Sequence, residues 1–465
     1  MALHSNLSDT ICALATPTGV GGLGVIRLSG PEAIAVADRV FKARVPLSQV
    51  LSHTISYGTV HDLSHAIDEA MATVFHAPRS FTTEDTVEFS CHGSPFILGE
   101  VLRVLCAAGA RPATPGEFTL RAFLHGRLDL TQAEAVADLI AADSAAAHQL
   151  ALGQLRGGIS TRISDLRTQL IDFAALVELE LDFVEEDVEF ADRAKLLQLV
   201  AEIRREVSGL MASFRLGNAL RNGVPTVIAG RPNAGKSTLL NAWLQEERAI
   251  VSEIPGTTRD TIEEVLHLDG IAFRLIDTAG IREATDTIER MGVDRTYEKI
   301  RESTLLIYVF DAMTTEPKAL EADLLPLLRP GLAVFKVGNK IDLDIDGSRR
   351  RLFAHLPVHW LSAAHPHSAL PGQGLSALSD ALVASVLQEP VQPGQAVLSN
   401  LRHYEALRFA DAALGDVHEG LTDQRSGELV ALDIRRVLEA LGQITGEVSN
   451  DELLGSIFGR FCIGK

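Results

Sequence analysis

The stretch Gly230-Arg231-Pro232-Asn233-Ala234-Gly235-Lys236-Ser237 decides how this chain is read. It places a glycine, four residues and then Gly-Lys-Ser, the pattern of a phosphate-binding loop. Just upstream, Val224 to Ala229 is short and rich in β-branched residues and reads as a buried strand; just downstream, Thr238 to Leu244 reads as a helix. A chance glycine-lysine turn would lack that context of strand, turn and helix. Backbone N–H groups and the helix N-terminus would face an anion. Asn233, Ala234, Gly235, Lys236, Ser237 and Thr238 are therefore the expected phosphate cradle. Lys236 reaches the β- and γ-phosphates and Ser237 ligates Mg²⁺.

Downstream motifs name the nucleotide. Asp277-Thr278-Ala279-Gly280 follows a predicted strand, Phe273 to Ile276; its carboxylate suits the Mg²⁺ side and its glycine N–H the γ-phosphate. Asn339-Lys340-Ile341-Asp342 follows the predicted strand Ala333 to Val337. A carboxylate at Asp342 can accept from both N1–H and the 2-amino group of guanine, and adenine offers neither. Ser362-Ala363-Ala364, after Val358 to Leu361, fits a loop that gives backbone N–H groups to the guanine oxygen. Any one tetrapeptide is weak evidence; all of them in order at strand ends point to GTP on a doubly wound sheet. Thr258, in Ile254-Pro255-Gly256-Thr257-Thr258-Arg259-Asp260, is the expected second hydroxyl on Mg²⁺. Ile281 follows Gly280 where many GTPases place the glutamine that orients the attacking water. Isoleucine cannot do this, so another group, sought in Arg282 to Arg295, must.

The rest of the 465 residues is enough for two to four domains. Before about residue 124 short strands (Ile11 to Thr16, Val25 to Ser29) mix with helices (Glu32 to Phe41, Ile97 to Ala108), an α+β pattern. Gly19-Val20-Gly21-Gly22-Leu23-Gly24 matches G-x-G-x-x-G, but a strand follows it where a dinucleotide site needs a helix, so it reads as a turn. From Gly116 to Val224 there is no proline, and Ile163, Leu166, Leu170, Phe173 and Leu176 mark a helical stripe. Leu429, Leu432, Ile434, Val437, Leu438 and Leu441 mark another. Two helical flanks around an α/β unit suggest an inserted domain whose flanks join, since each alone would have a thin core. The expected division is 1–124, α+β; 125–217, helical; 218–380, an inserted α/β P-loop domain; and 381–465, helical again. The acidic run Glu178 to Glu189 reads as a solvated face rather than a metal site. No apolar run approaches the ~20 residues of a membrane span, and Met1 to Thr10 lacks the marks of a signal peptide. Cys12, Cys91, Cys106 and Cys462 form no C-x-x-C pair, which suits a reducing cytoplasm. A net charge of −19 argues against unaided, non-specific nucleic-acid binding.

With these residues placed, the chain from Gly19 to Lys465 resembles the MnmE (TrmE) family of tRNA-modifying GTPases. The phosphate loop, Pro-Gly-Thr-Thr-Arg-Asp and Asp-Thr-Ala-Gly are shared with ribosome-associated GTPases. More specific are Pro115 to Leu124 (PGEFTLRAFL), Leu128 to Val136 (LDLTQAEAV) and the ending Phe461-Cys462-Ile463-Gly464-Lys465. The resemblance implies a homodimer that joins an FAD-binding partner in a heterotetramer. Together they would install an aminomethyl-type group on the wobble uridine of tRNA, in the cytoplasm. The carbon would come from a tetrahydrofolate (5,10-methylene or 5-formyl form) on the N-terminal domain, through Arg27, Glu88, Arg127 and Lys465. It further implies K⁺ held by Asn233, Ser252, Ile254 and Thr257, Glu289 as the catalytic glutamate, and a possible role for Cys462. The last is fourth from the end, like a prenylated cysteine, but Gly464 and Lys465 fit that motif poorly. Relative to the family, Thr83 stands where glycine is usual, Val20 where arginine is common, Arg127 where some members have lysine, and Ser252 where threonine is usual. A different class of function, a GTP-dependent ribosome-assembly switch without carbon chemistry, is separated from this one by whether residues 1–124 bind folate.

Overall fold

The computed structural model describes residues 8–62, 65–182, 193–244, 250–253, 264–276, 299–362, 374–387 and 396–465; the side chains at 178–182, 244 and 250–253 are outside that description. The chain divides into two compact units, one of residues 1–140, 152–208 and 405–465, the other of 141–151 and 209–404.

The first unit opens with an α+β sheet. Its strands are β1 (Ile11–Leu14), β2 (Leu23–Ser29), β3 (Phe41–Ala43), β4 (Thr54–His61), β5 (Ala66–Phe75), β6 (Thr86–His92) and β7 (Arg111–Pro112), in the order β3-β4-β5-β6-β2-β1-β7. All neighbours are antiparallel except β1 and β7. Alternation sets the faces. Ile26 and Leu28 of β2 and Val87, Phe89 and Cys91 of β6 are buried on one side, against Val101 and Leu105 of the helix Pro95–Ala107 and against the helix Ala33–Val40. Each such large side chain contributes about 1.5–3 kcal/mol by leaving water. Pro95 starts its helix, where a missing N–H costs nothing. The glycine-rich stretch before β2 is a turn between the antiparallel strands β1 and β2, as its sequence context required.

Helices complete this unit. Gly158–Asp182 packs along Gly427–Thr445, with Arg167 paired to Glu447. Asp451–Phe458, capped by the Asn450 side chain accepting from Leu453 N–H at 2.8 Å, lies on Glu117–Leu124. The two stripes are real but rotated. Ile163, Leu166 and Leu170 are buried as expected, whereas Leu176 is 39% exposed and Ala174 and Val177 take the inner positions. On the second helix Leu429 and Leu432 face outward, and Val430, Ala431, Ile434, Val437 and Leu441 face in. Marking only large residues mistook the line of the stripe, because small residues occupy some inner positions.

The second unit is an α/β sheet of β8 (Val224–Ala229), β9 (Ile250–Glu253), β10 (Glu264–Leu268), β11 (Ile271–Leu275), β12 (Leu305–Asp311), β13 (Ala333–Asn339) and β14 (Val358–Trp360). The order is β14-β13-β12-β8-β11-β10-β9, parallel except for the two pairings that β10 makes. Leu305 to Phe310 are buried without alternation, as a strand covered on both faces should be. One face packs around Leu240, Trp243 and Leu378, the other around Leu320, Phe310 and Phe353. The strand β8 lies between β11 and β12, where the connections diverge. Its C-terminal end is the topological switch point of the sheet and delivers Gly230. No helix among the described residues is long and apolar enough to cross a membrane.

Candidate functional site

The phosphate loop leaves β8 and enters the helix Lys236–Leu244. Its shape demands small residues. Gly235 has φ 99° and rests on Asn339, so that a Cβ there would collide with the amide nitrogen of that side chain. Asn233 adopts φ 59° at the exposed tip, a conformation asparagine tolerates. The Lys236 ammonium donates to Gly230 O at 2.8 Å and Arg231 O at 3.0 Å, and burial lowers its pKa from the ordinary lysine value. A partly desolvated ammonium beside converging backbone N–H groups favours an anion. Ser237 is half-buried and Thr238 exposed in the first turn of the helix.

The base-recognition segment is tied directly to this loop. Asn339, 3% exposed at the end of β13, donates from Nδ2 to Ala234 O at 2.9 Å and accepts from Lys340 N–H at 2.8 Å. Lys340 has φ 64°, and its Nζ reaches Asp311 Oδ2 at 2.7 Å. Burial works to raise the Asp311 pKa, but the Lys340 ammonium and the Met313 N–H outweigh it and hold the carboxyl below its ordinary value. Asp342 follows in an exposed turn, and Ile341 N–H bonds to Leu361 O at 3.4 Å, which brings buried Ser362 beside this segment. Asp311 had no motif to announce it. Nor had the clamp on the loop's other side, where Arg231 forks onto Asp323 at 2.7 and 2.9 Å and Tyr308 Oη donates to Asp323 at 2.9 Å.

Several expected site residues lie outside the described residues: Ile254, Thr257, Thr258, Asp277, Thr278, Ala279, Gly280, Ile281, Glu289, Ala363 and Ala364, together with Arg259, Arg282 to Arg295 and most of the acidic run. Ser252 is in β9, but its side chain is among those left undescribed.

In the first unit, Arg27 of β2 and Glu88 of β6 are register partners, and Arg27 Nε donates to Glu88 Oε1 at 2.7 Å. The Arg27 guanidinium lies 5.6 Å from the ring centroids of both Phe81 and Phe118, and that of Arg127 lies 5.5 Å from Phe81. Two arginines far apart in sequence thus meet at one aromatic ring, with Glu88 bonded to the first. Sequence reasoning gave neither phenylalanine a place in the site; Phe118 lies in the PGEFTLRAFL stretch, and Phe81 stands two residues before Thr83. That threonine has φ 63°, the left-handed region where glycine is at ease. Val20 is 92% exposed in the glycine-rich turn. The C-terminal tail folds back on this unit. Gly464 sits so tightly on Leu14 O that no Cβ fits, Gly116 N–H bonds to Cys462 O at 3.5 Å, and Lys465 N–H to the same oxygen at 3.3 Å. Leu14 pairs with Ile26, next to Arg27. Cys462 itself is exposed.

Comparison with known proteins covers nearly the whole chain. Residues 10–127 match the family model of the GTP-binding protein TrmE N-terminus, and residues 130–462 that of the MnmE helical domain. The tRNA modification GTPase MnmE of Cytophaga hutchinsonii is 52% identical over 99% of this chain and 99% of its own length. That of Christiangramia forsetii is 46% identical over 99% of this chain and 100% of its own. Among solved structures, the G domain of the T. maritima FeoB iron transporter is 29% identical over 34% of this chain and 95% of that one, with a TM-score of 0.24.

Proposed function

The chain belongs to the MnmE family of tRNA modification GTPases, and from that premise we propose that it is the GTP-hydrolysing subunit of a complex that modifies the wobble uridine of tRNA. It adds a carboxymethylaminomethyl or aminomethyl group at C5 with a folate as one-carbon donor. It works in the cytoplasm as a homodimer that joins an FAD-binding partner in a heterotetramer on tRNA.

The observation that carries the folate part is the pair of Arg27 and Arg127 at the Phe81 ring, with Glu88 bonded to Arg27. Glu88 occupies only the Nε of Arg27, and among the described residues no hydrogen bond reaches the terminal nitrogens of Arg27 or any guanidinium nitrogen of Arg127. Such donors fit carboxylates and ring oxygens, and a glutamate fits the amino and ring N–H groups of a pterin. Lys465, carried to this unit by the tail, would add positive charge. The tetrahydrofolate would supply the transferable carbon; the protein's part is to bind and orient it. Calorimetry of 5-formyltetrahydrofolate against the full-length wild type and Glu88→Ala tests this, with nucleoside analysis of tRNA from cells lacking the protein. Binding by wild type that Glu88→Ala loses is expected, and a wild type that takes up no folate would overturn the reading.

In the GTPase unit, Lys236 meets the β- and γ-phosphates, Ser237 and Thr258 hold Mg²⁺, and Asp342 reads guanine with Asn339 bracing the loop beneath it. The side-chain oxygen of Asn233, exposed at the tip of the loop, is a suitable hard ligand for K⁺, with Ser252, Ile254 and Thr257 completing the set. Glu289 orders the attacking water. Dimerisation is supported by the outer face of the N-terminal sheet, where Leu23, Ile55, Tyr57 and Met71 are 63, 66, 66 and 41% exposed. Sedimentation of Tyr57→Asp beside the wild type checks this: a dimer that persists unweakened would remove that face from the interface.

A further inference from the structure

We propose that Phe81 is a positioning residue whose ring holds the guanidinium groups of Arg27 and Arg127 as one paired receptor for the anionic or electronegative oxygens of a reduced folate. This rests on the folate reading above and says how the site is kept ready.

Two cations gathered at one place repel each other. Arg27 has Glu88 on its Nε, but Arg127 has no carboxylate partner among the described residues. What both share is the Phe81 ring, at 5.6 and 5.5 Å, with Phe118 also 5.6 Å from Arg27. The negative face of an aromatic ring attracts a guanidinium without using up its N–H donors. The donors therefore remain available to a ligand, which a carboxylate in place of the ring would not allow. An aliphatic side chain would fill the volume but lack the quadrupole.

The ring needs a fixed backbone, and the segment around it is held by polar groups, of which Ser29, Ser80, Thr82 and Arg121 are buried. Ser80 Oγ donates to Glu84 O at 2.5 Å, Thr82 Oγ1 and Ser29 Oγ lie 2.5 Å apart, and the His125 ring nitrogen donates to Thr82 O at 2.7 Å. Glu84 accepts from Ser29 Oγ at 2.6 Å and from Arg121 Nη1 at 3.0 and 3.2 Å. Arg121 is fully buried and bonds also to Asp9 and Glu117. A buried ionic network is a poor route to stability, since apolar residues of the same volume often do as well; its better-attested use is to specify one arrangement. Here the arrangement specified is the loop that carries Phe81.

The test compares full-length wild type, Phe81→Leu and Phe81→Tyr for binding of 5-formyltetrahydrofolate by calorimetry, with melting temperatures to check the fold. Phe81→Leu should weaken binding about tenfold while Phe81→Tyr, which keeps the ring, stays within about twofold of wild type. Equal affinity in Phe81→Leu and wild type would overturn the proposal. The Nε–H resonances of Arg27 and Arg127 are followed in the same proteins without ligand. Ring-current shifts lost in Phe81→Leu and kept in Phe81→Tyr support the platform even if wild type binds no folate, which would sink only the folate reading. Resonances unmoved by Phe81→Leu would overturn the platform itself.

Discussion

Thr83 shows how much one residue can say once its backbone is known. Its φ of 63° lies where a β-branched side chain is strained by roughly 1–2 kcal/mol. Part of that would be given back by the greater freedom of an unfolded glycine. Thr83→Gly should therefore raise stability by about 0.5–1 kcal/mol, read as a higher urea midpoint; a lower midpoint would show that the threonine side chain contributes more than its strain costs. Glu117 gives a pH effect with a definite sign. Burial pushes its carboxyl up, but hydrogen bonds from Arg111, from the Thr114 N–H and from Arg121 prevail and hold it at about 2, below the ordinary 4.5. A depressed carboxyl contributes stability that is present above the unfolded value and is lost as pH falls toward the folded one. Wild type should exceed Glu117→Gln in urea midpoint at pH 7, with the gap closing between pH 4.5 and about 2; a gap independent of pH would mean that the charge is not what matters. Asp342 is exposed after the Asn339 brace, and the guanine-reading role proposed for it gives a direct test. Asp342→Asn should weaken GTP binding by on the order of 1–3 kcal/mol and shift preference toward xanthosine nucleotides. Unchanged GTP affinity would remove it from the base pocket.

At the scale of elements, periodicity identified the helices and missed which side of them is covered. In Gly158–Asp182 the inner line runs through Ile163, Leu166, Leu170, Ala174 and Val177, so Leu176, as apolar as Leu170, lies outside. Leu170→Ala should cost about 2–5 kcal/mol, because it leaves a cavity at a fully buried position. Leu176→Ala should stay within about 0.5 kcal/mol. Equal losses in chemical denaturation would mean that both faces are covered. The strand-loop-helix around Lys236 behaved differently: the strand bounds and the helix end were legible because β-branched residues and glycines each speak for one local conformation, while the helix starts at Lys236, two residues before the expected Thr238.

At the scale of the molecule, hydrolysis should need a cation that no side chain supplies. Ile281 stands where a water-orienting glutamine is common, and the transition state of phosphoryl transfer requires added positive charge. Turnover should be several-fold faster in KCl than in NaCl at equal ionic strength, and Asn233→Ala should lose that preference while Arg259→Ala keeps it. Equal wild-type rates in the two salts would exclude the potassium mechanism and favour the competing idea that Arg259, in the Pro-Gly-Thr-Thr-Arg-Asp stretch, supplies the charge as an arginine finger, which would need no K⁺. The sequence by itself determined the α+β, helical and α/β parts, the nucleotide and the family, because each of those signals is local: a loop pattern, a period, a tetrapeptide at a strand end. Only the tertiary structure decided what stands around them. Phe81 between Arg27 and Arg127, Asn339 under Ala234, Asp311 on Lys340 and Gly464 against Leu14 all join residues that chain order keeps apart. Such contacts leave no spacing in the sequence, since a ring, an amide or a carboxylate is recruited for where the fold brings it and not for what precedes or follows it along the chain.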